Sequence, residues 1–336
     1  MPDPVLCQAE TLFSVTTGST AELIAATADE IAGWRADGIG VHTFSDDSYP
    51  AQLRGIKEAP PLLFTRGQLW ANDPSIAVIG SRKASARGLS IARSVAESLI
   101  NRGVTVASGL AHGIDTAAHT AALAAGGRTV AVIGTGIRNY YPSANRRLQD
   151  HIAEVGLVVS QFWPDAGPTR QSFPMRNAVM SGYAAATLVV EASETSGARI
   201  QARLALGHGR PVILTSHAMQ SKWAQALATK PGVHVVRGTA ELIEAVDGIL
   251  NRLPAETGGR ALRLRERKPR GNDGNDQEPA ADPSGDQPSL EHSIAAFGPD
   301  EDEADVQQEH MYDSVGAQHP VEDAEPVPGI QVRVGI

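Results

Sequence analysis

Five short stretches of this chain hold residues suited to binding a phosphate or a base, and in three of them small, hydroxyl-bearing or cationic residues stand directly behind an apolar run. In AVIGSRKASARG (77–88) an apolar run ends in Gly80, Ser81, Arg82 and Lys83 and passes into a helix-forming stretch. Gly80 lets the backbone approach an anion, Ser81 offers a hydroxyl, Arg82 and Lys83 bring charge, and a helix start offers free N–H groups. A tight strand-to-helix turn with solvated charges is the alternative. SGLAHGIDTAAHTAAL (108–123) suits backbone capture of a phosphate between Gly109 and Gly113. It also sets His112, Asp115 and His119 three and four residues apart on one helical face, as metal ligands would be. A capping Asp and a packed His account for the same spacing, and no metal is assigned.

A third candidate joins two stretches, GTGIRNYYP (134–142) and FPMRNAVMSG (173–182). Tyr140 and Tyr141 are suited to stack on a base, Arg176 and Asn177 to hold a phosphate or a base edge. Either tyrosine is equally suited to plug a core. The fourth, VVEASETSGARIQA (189–202), puts Ser196 and Gly197 at a helix start, another anion position.

Enzyme signatures are missing. There is no G-x-x-x-x-G-K-[ST] loop and no G-x-S-x-G elbow, and Gly134-Thr135-Gly136 continues as Ile-Arg-Asn rather than into a dinucleotide fingerprint. Glu191 and Glu194 are available to a nucleoside-monophosphate glycosidic hydrolase, but the PGGxGT-like loop such chemistry uses is absent. No catalytic residue and no cofactor is assigned.

The elements that must position these residues follow from periodicity. Continuous apolar, β-branched runs recur at 75–79, 104–108, 129–133, 156–160, 187–191, 211–215 and 233–236, as strands buried on both faces do. Ala-rich helical stretches at 87–102, 114–125 and 197–208 lie between them. The alternation predicts an α/β fold, a Rossmann-like doubly wound and mainly parallel sheet with its loops gathered on the carboxyl edge. A short amphipathic helix is expected over 20–38, and PPLLF is expected to add an edge strand. The division expected is a partial N-terminal helical appendage (1–43), the Rossmann-like domain (44–254), a basic linker (255–270) and a disordered acidic tail (271–336).

Charge is distributed unevenly. The 336 residues carry a formal charge of -9, yet residues 271–336 hold sixteen acidic residues against Arg333, leaving +6 for 1–270. Six basic residues sit in RALRLRERKPR (260–270), so 1–259 is nearly balanced, with 22 basic and 21 acidic. An anion site in the folded body must therefore be local. The acidic run invites the hypothesis that it competes with an anionic ligand or recruits a basic partner. One cysteine, Cys7, excludes an intramolecular disulfide, and the lack of a long apolar run or signal-peptide pattern points to the cytoplasm and away from a membrane.

Taken in order, GSR, SGLAHGIDTAAH, GTGIRNYYP, FPMRN and VVEASETSGA, with YPAQL and PPLLFTRG upstream, resemble the DNA-processing protein A (DprA/Smf) family. The resemblance covers residues 49 to about 215. It implies an extended Rossmann-like domain that binds single-stranded DNA without cutting it, dimerises, and helps load a RecA-type recombinase in natural transformation. By position Arg82 corresponds to the family's DNA-contacting arginine, and Arg176 and Asn177 fall in its FPxRN element. The chain departs from the family at Ala178 (RNA for RNR), at Gln161 (Ser-Gln for Ser-Glu) and at Leu214-Thr215-Ser216, where a Val-Pro-Gly-like turn is usual. The family's frequent C-terminal winged helix is not recognisable in 255–336. The alternative reading is a nucleotide sensor, or the hydrolase above, on the same phosphate pocket.

Overall fold

The computed structural model describes residues 20–252. The expected basic linker and acidic tail lie outside the described residues, as does Cys7. Helix α1 (Thr20–Ala36) fills the predicted helical stretch and turns through Gly38, at φ 76°, into strand β1 (Gly40–Thr43). β1 pairs antiparallel with β2 (Leu62–Gly67), which contains the PPLLF apolar residues. The expected boundary after residue 43 thus falls between two hydrogen-bonded strands. β2 is correspondingly not an edge: it is held between β1 and the parallel block, and its Leu63, Phe64 and Thr65 are buried.

All seven apolar runs form strands, with helices between them. The order is β3 (Ser75–Ile79), α2 (Ala86–Asn101), β4 (Thr105–Ser108), α3 (Ile114–Ala124), β5 (Thr129–Val132), α4 (Arg146–Val155), β6 (Leu157–Ser160) and α5 (Ser172–Tyr183). Then follow β7 (Ala186–Val189), α6 (Gly197–Gly207), β8 (Val212–Thr215), α7 (Lys222–Ala228), β9 (Val233–Val236) and α8 (Thr239–Leu250). These seven strands pair in parallel in the order β6-β5-β4-β3-β7-β8-β9, and β2 joins β6 antiparallel, giving one nine-stranded sheet. The doubly wound expectation holds.

Continuous apolar character is what lets the sheet be covered twice. On one face Ile76, Val78, Val106, Leu188 and Ile213 meet α2, α3 and α8, where Ala92, Ala96, Ala118 and Ala122 allow close helix approach. On the other, Ala77, Ile79, Val132, Val189 and Leu214 meet α5, α6 and α7 through Val179, Met180, Ala202 and Trp223. A third cluster joins α1 to α4 around Trp34, Phe64, Ile137 and Ile152. Trp34 meets Phe64 edge-on at 5.3 Å, which ties the N-terminal helix to the sheet. Among the described residues no helix is long and apolar enough to cross a membrane.

Candidate functional site

The winding reverses between β3 and β7, so the loops leaving their carboxyl ends diverge, and open α/β sheets bind ligands in such a crevice. Here it is a cleft of about 530 Å³ bounded by the loop after β3, by α5 and by the start of α6. Four cations line it: Arg82, Lys83, Arg170 and Arg176. The single carboxylate of the lining is Asp115, which is buried. A near-balanced body thus concentrates positive charge at one place.

Each expected residue can now be located. Gly80, Ser81, Arg82, Lys83, Arg176, Asn177, Ser196 and Gly197 all line the cleft. The backbone around Gly80 and Ser81 is already engaged, since the Ser81 N–H donates to the Glu191 carbonyl at 2.7 Å. A Cβ on Gly80 would press on Ile114 and that same carbonyl, so Gly80 is needed for the two loops to touch. Arg82 projects from this loop beside the Phe173 ring, 5.8 Å from its centroid, and its Nη1 has no hydrogen-bond partner.

Arg176 is a different kind of cation. It is 6% exposed and its Nη1 donates to the carbonyls of Gly109 and Val132, at 2.5 and 2.8 Å, closing the ends of β4 and β5. Its Nε donates to Asn177 Oδ1 at 3.0 Å. Burial, offset in part by the Asp115 carboxylate, lowers its pKa to about 10, so it stays charged at neutral pH. Burial conversely pushes the Asp115 carboxyl up, while Arg176 and the N–H groups of Ala111 and Gly109 pull it down. Arg176 therefore supports the cleft wall from behind.

Gly109 and Gly113 fall outside the cleft lining. A Cβ on Gly109 would strike the Arg176 guanidinium, and one on Gly113, at φ 75°, would strike the Ser81 and Arg82 carbonyls. Gly109 thus makes room for Arg176 of α5 and Gly113 for the loop after β3, whereas the glycine spacing suggested anion capture. The β4 loop is pinned further by Asn145, whose Nδ2 donates to the Leu110 carbonyl and to Thr116 Oγ1.

Tyr140 and Tyr141 also lie outside the lining. The Tyr140 hydroxyl donates to Asp150 Oδ1 at 2.8 Å and its ring is covered by Arg146. Tyr141 packs against Phe173, centroids 5.4 Å apart. Phe173 is the aromatic that reaches the cleft, together with Arg170 and Gln201, and none of these three was singled out from the sequence. Phe173 stood in the FPMRN motif beside the residues that were chosen. Gln201 carried a separate signal, a polar residue within the buried stripe Ala198, Ala202 and Ala205 of α6.

The possible metal trio is dispersed into packing. Asp115 Oδ2 accepts from the N–H groups of Gly109 and Ala111, and the buried His119 Nδ1 pairs with Thr129 Oγ1 at 2.7 Å. Burial takes the His119 imidazole down to about 3. Among the described residues no three His, Cys, Asp or Glu side chains gather as metal ligands.

Glu191 and Glu194, the carboxylates open to hydrolase chemistry, do not line the cleft. Glu191 sits at the start of α2, where it accepts from the Ser85 N–H and, at 2.7 Å, from the Ser85 hydroxyl, with His217 Nε2 at 3.1 Å. Partial burial raises its pKa, but the Ser85 and His217 hydrogen bonds outweigh this and hold it below the ordinary value. The α2 N-terminus is thus filled by a carboxylate of the chain itself. Glu194 accepts from the Lys222 N–H. The α6 N-terminus, by contrast, faces the cleft, with open space around Gly197 and Ser196 capping Ala198 at 3.3 Å.

A family model described as DNA recombination-mediator protein A matches residues 40–254. The chain is 45% identical over 168 residues to DNA processing protein DprA of Streptococcus pneumoniae, covering 50% of this chain and 59% of that protein. It is 31% identical over 226 residues to DprA of Bacillus subtilis, covering 67% and 74%, and 37% identical over 219 residues to protein Smf of Escherichia coli, covering 63% and 59%. The chain thus spans about three fifths of the length of the first and last of these relatives. The solved S. pneumoniae DprA structure is similar at a TM-score of 0.57 and 36% identity, covering 63% of this chain and 77% of that one. A DprA structure from Helicobacter pylori, at 0.56 and 23% identity over 61% and 95%, shares the fold. With switch-point cleft, sheet order and sequence in agreement, the chain belongs, through residues 40–254, to the family of DNA recombination-mediator protein A.

Proposed function

We propose that this protein binds single-stranded DNA in the switch-point cleft and does so without catalysis. The observation that carries the reading is the concentration of Arg82, Lys83 and Arg170 with the open α6 N-terminus and the Phe173 ring in one cleft of a body whose charges are otherwise nearly balanced. Cations and helix N–H groups hold phosphates, and an aromatic ring stacks on unpaired bases, a combination that favours a single strand over a duplex whose bases are already stacked. The H. pylori relative is described as having a single-stranded DNA binding mode. At 23% identity it lends this chain the fold, and the support for the ligand comes from the cleft.

Support for binding without cleavage is that Glu191 and Glu194 are held at other elements and that Asp115 is buried. The same reading places the protein in the cytoplasm, as a homodimer, handing strands to a RecA-type recombinase in transformation. Light scattering with and without strand reads the dimer, and strand exchange on protein-coated DNA reads the hand-over.

The test of the ligand is fluorescence anisotropy of a labelled oligo-dT, with duplex DNA and mononucleotides as competitors. Tight binding against which duplex competes poorly is the expected result. Displacement by a mononucleotide, with no affinity for oligo-dT, would move the function to nucleotide sensing on the same pocket.

A further inference from the structure

Among the side chains of this cleft, Gln201 is the one whose bonding is incomplete at both ends. It is 1% exposed, it lines the cleft, and neither Oε1 nor Nε2 has a hydrogen-bond partner. A buried carboxamide left unpaired is costly, which is why such groups are rare in folded proteins and ask for an explanation. The surrounding packing gives none: its helical stripe is Ala198, Ala202 and Ala205, and Ile79 and Met180 line the cleft with it. A second orphan, Arg82 Nη1, belongs to the same cleft.

We infer that Gln201 reads a nucleobase, pairing its carboxamide with a donor and acceptor that stand side by side on the edge of one base; this rests on the single-strand reading above. A carboxamide carries no charge, and Arg82, Lys83 and Arg170 already supply cations for the phosphates. What it offers is one donor and one acceptor in fixed spacing, the pattern that pairs bidentate with base edges. Its place on α6 fits this use. Gln201 lies four residues beyond Gly197 on the same helical face, a rise of about 6 Å. A phosphate at the helix N-terminus thus leaves the attached base to lie deeper, toward Gln201, in the cleft that Phe173 also lines.

The test uses the full chain, with Gln201→Met to keep length and remove the polar pair. Labelled dodecamers of dT, dA and dC are compared with a dodecamer of abasic phosphodiester. The expected result is that the wild type prefers base-bearing strands, and that Gln201→Met weakens those by roughly tenfold, the scale of a bidentate base pair, while abasic affinity is unchanged. The melting temperature of Gln201→Met should stay level or rise, because an unpaired buried amide has been removed. Equal weakening of both strand types by Gln201→Met, or no weakening of either, overturns the inference. Equal wild-type affinity for base-bearing and abasic strands overturns it while the single-strand reading stands. If dTMP or dAMP instead binds and loses affinity on Gln201→Met while no strand binds, base reading stands and the strand reading falls. Failure of every strand and mononucleotide to bind removes both.

Discussion

Two arginines meet in this cleft and do unlike things. Arg82 is half-buried at the mouth with an unpaired Nη1, whereas Arg176 is buried and committed to the Gly109 and Val132 carbonyls. Replacing Arg176 by Leu strips two strand ends of their donor and leaves Asp115 without its nearest opposite charge, so a loss of about 3–5 kcal/mol is expected in urea unfolding. The pH dependence has a definite sign. Asp115 has a folded pKa above its ordinary 3.8, so its contribution falls as pH rises from 3.8 through the folded value. Removing Arg176 raises that pKa further, and the stability gap between Arg176→Leu and wild type should therefore narrow on acidification; a gap that widens would show that Arg176 does not act on Asp115. Glu191 behaves in the opposite sense: its depressed pKa stabilises above 4.5, and that contribution is lost as pH falls through the folded value. Glu191→Ala should cost about 1–2 kcal/mol near neutrality and progressively less in acid, by the same unfolding assay.

At the scale of elements, the cleft depends on how closely the loops after β3 and β4 approach each other. Gly113→Ala forces a side chain at φ 75° into the Ser81 and Arg82 carbonyls, so it should displace the Arg82 loop and lower both stability and strand affinity. A loss of about 2 kcal/mol is expected, and an unaltered melting curve with unaltered binding would contradict the packing role. The seven parallel strands and the doubly wound class were legible in the sequence because strands covered on both faces read as unbroken apolar runs. The expected boundary after residue 43 falls at the pairing of β1 with β2, a contact between separated segments that a four-residue, partly exposed strand does not announce in sequence. The glycines and tyrosines were legible as special, and their packing contacts were not. Gly109 looks the same in sequence whether it admits a phosphate or the Arg176 guanidinium. Tyr140 and Phe173 are equally aromatic, and only the tertiary contact with Asp150 shows which turns from the cleft. Gln201 was legible in principle, as a polar break in a stripe of alanines.

For the whole molecule, charge is partitioned more sharply than its sum suggests. Four cations of the described body line one cleft, while residues 271–336 add -15 by sequence. Ending the chain after residue 270 changes the net charge from -9 to +6. Long-range repulsion of an anionic strand is thereby removed, so the shortened chain should bind oligo-dT more tightly at low salt, with the two affinities converging as salt screens the difference. Affinities that coincide at every salt concentration would show that the acidic run has no electrostatic influence on the cleft. The central claim, that this cleft holds the phosphates of a single strand through Arg82, is tested most directly by the salt dependence of oligo-dT anisotropy for wild type and Arg82→Ala. Arg82→Ala is expected to bind more weakly and with a shallower slope of log affinity against log salt, by about one phosphate contact, with the melting temperature unchanged. An Arg82→Ala protein that binds oligo-dT with wild-type affinity and slope would contradict that claim.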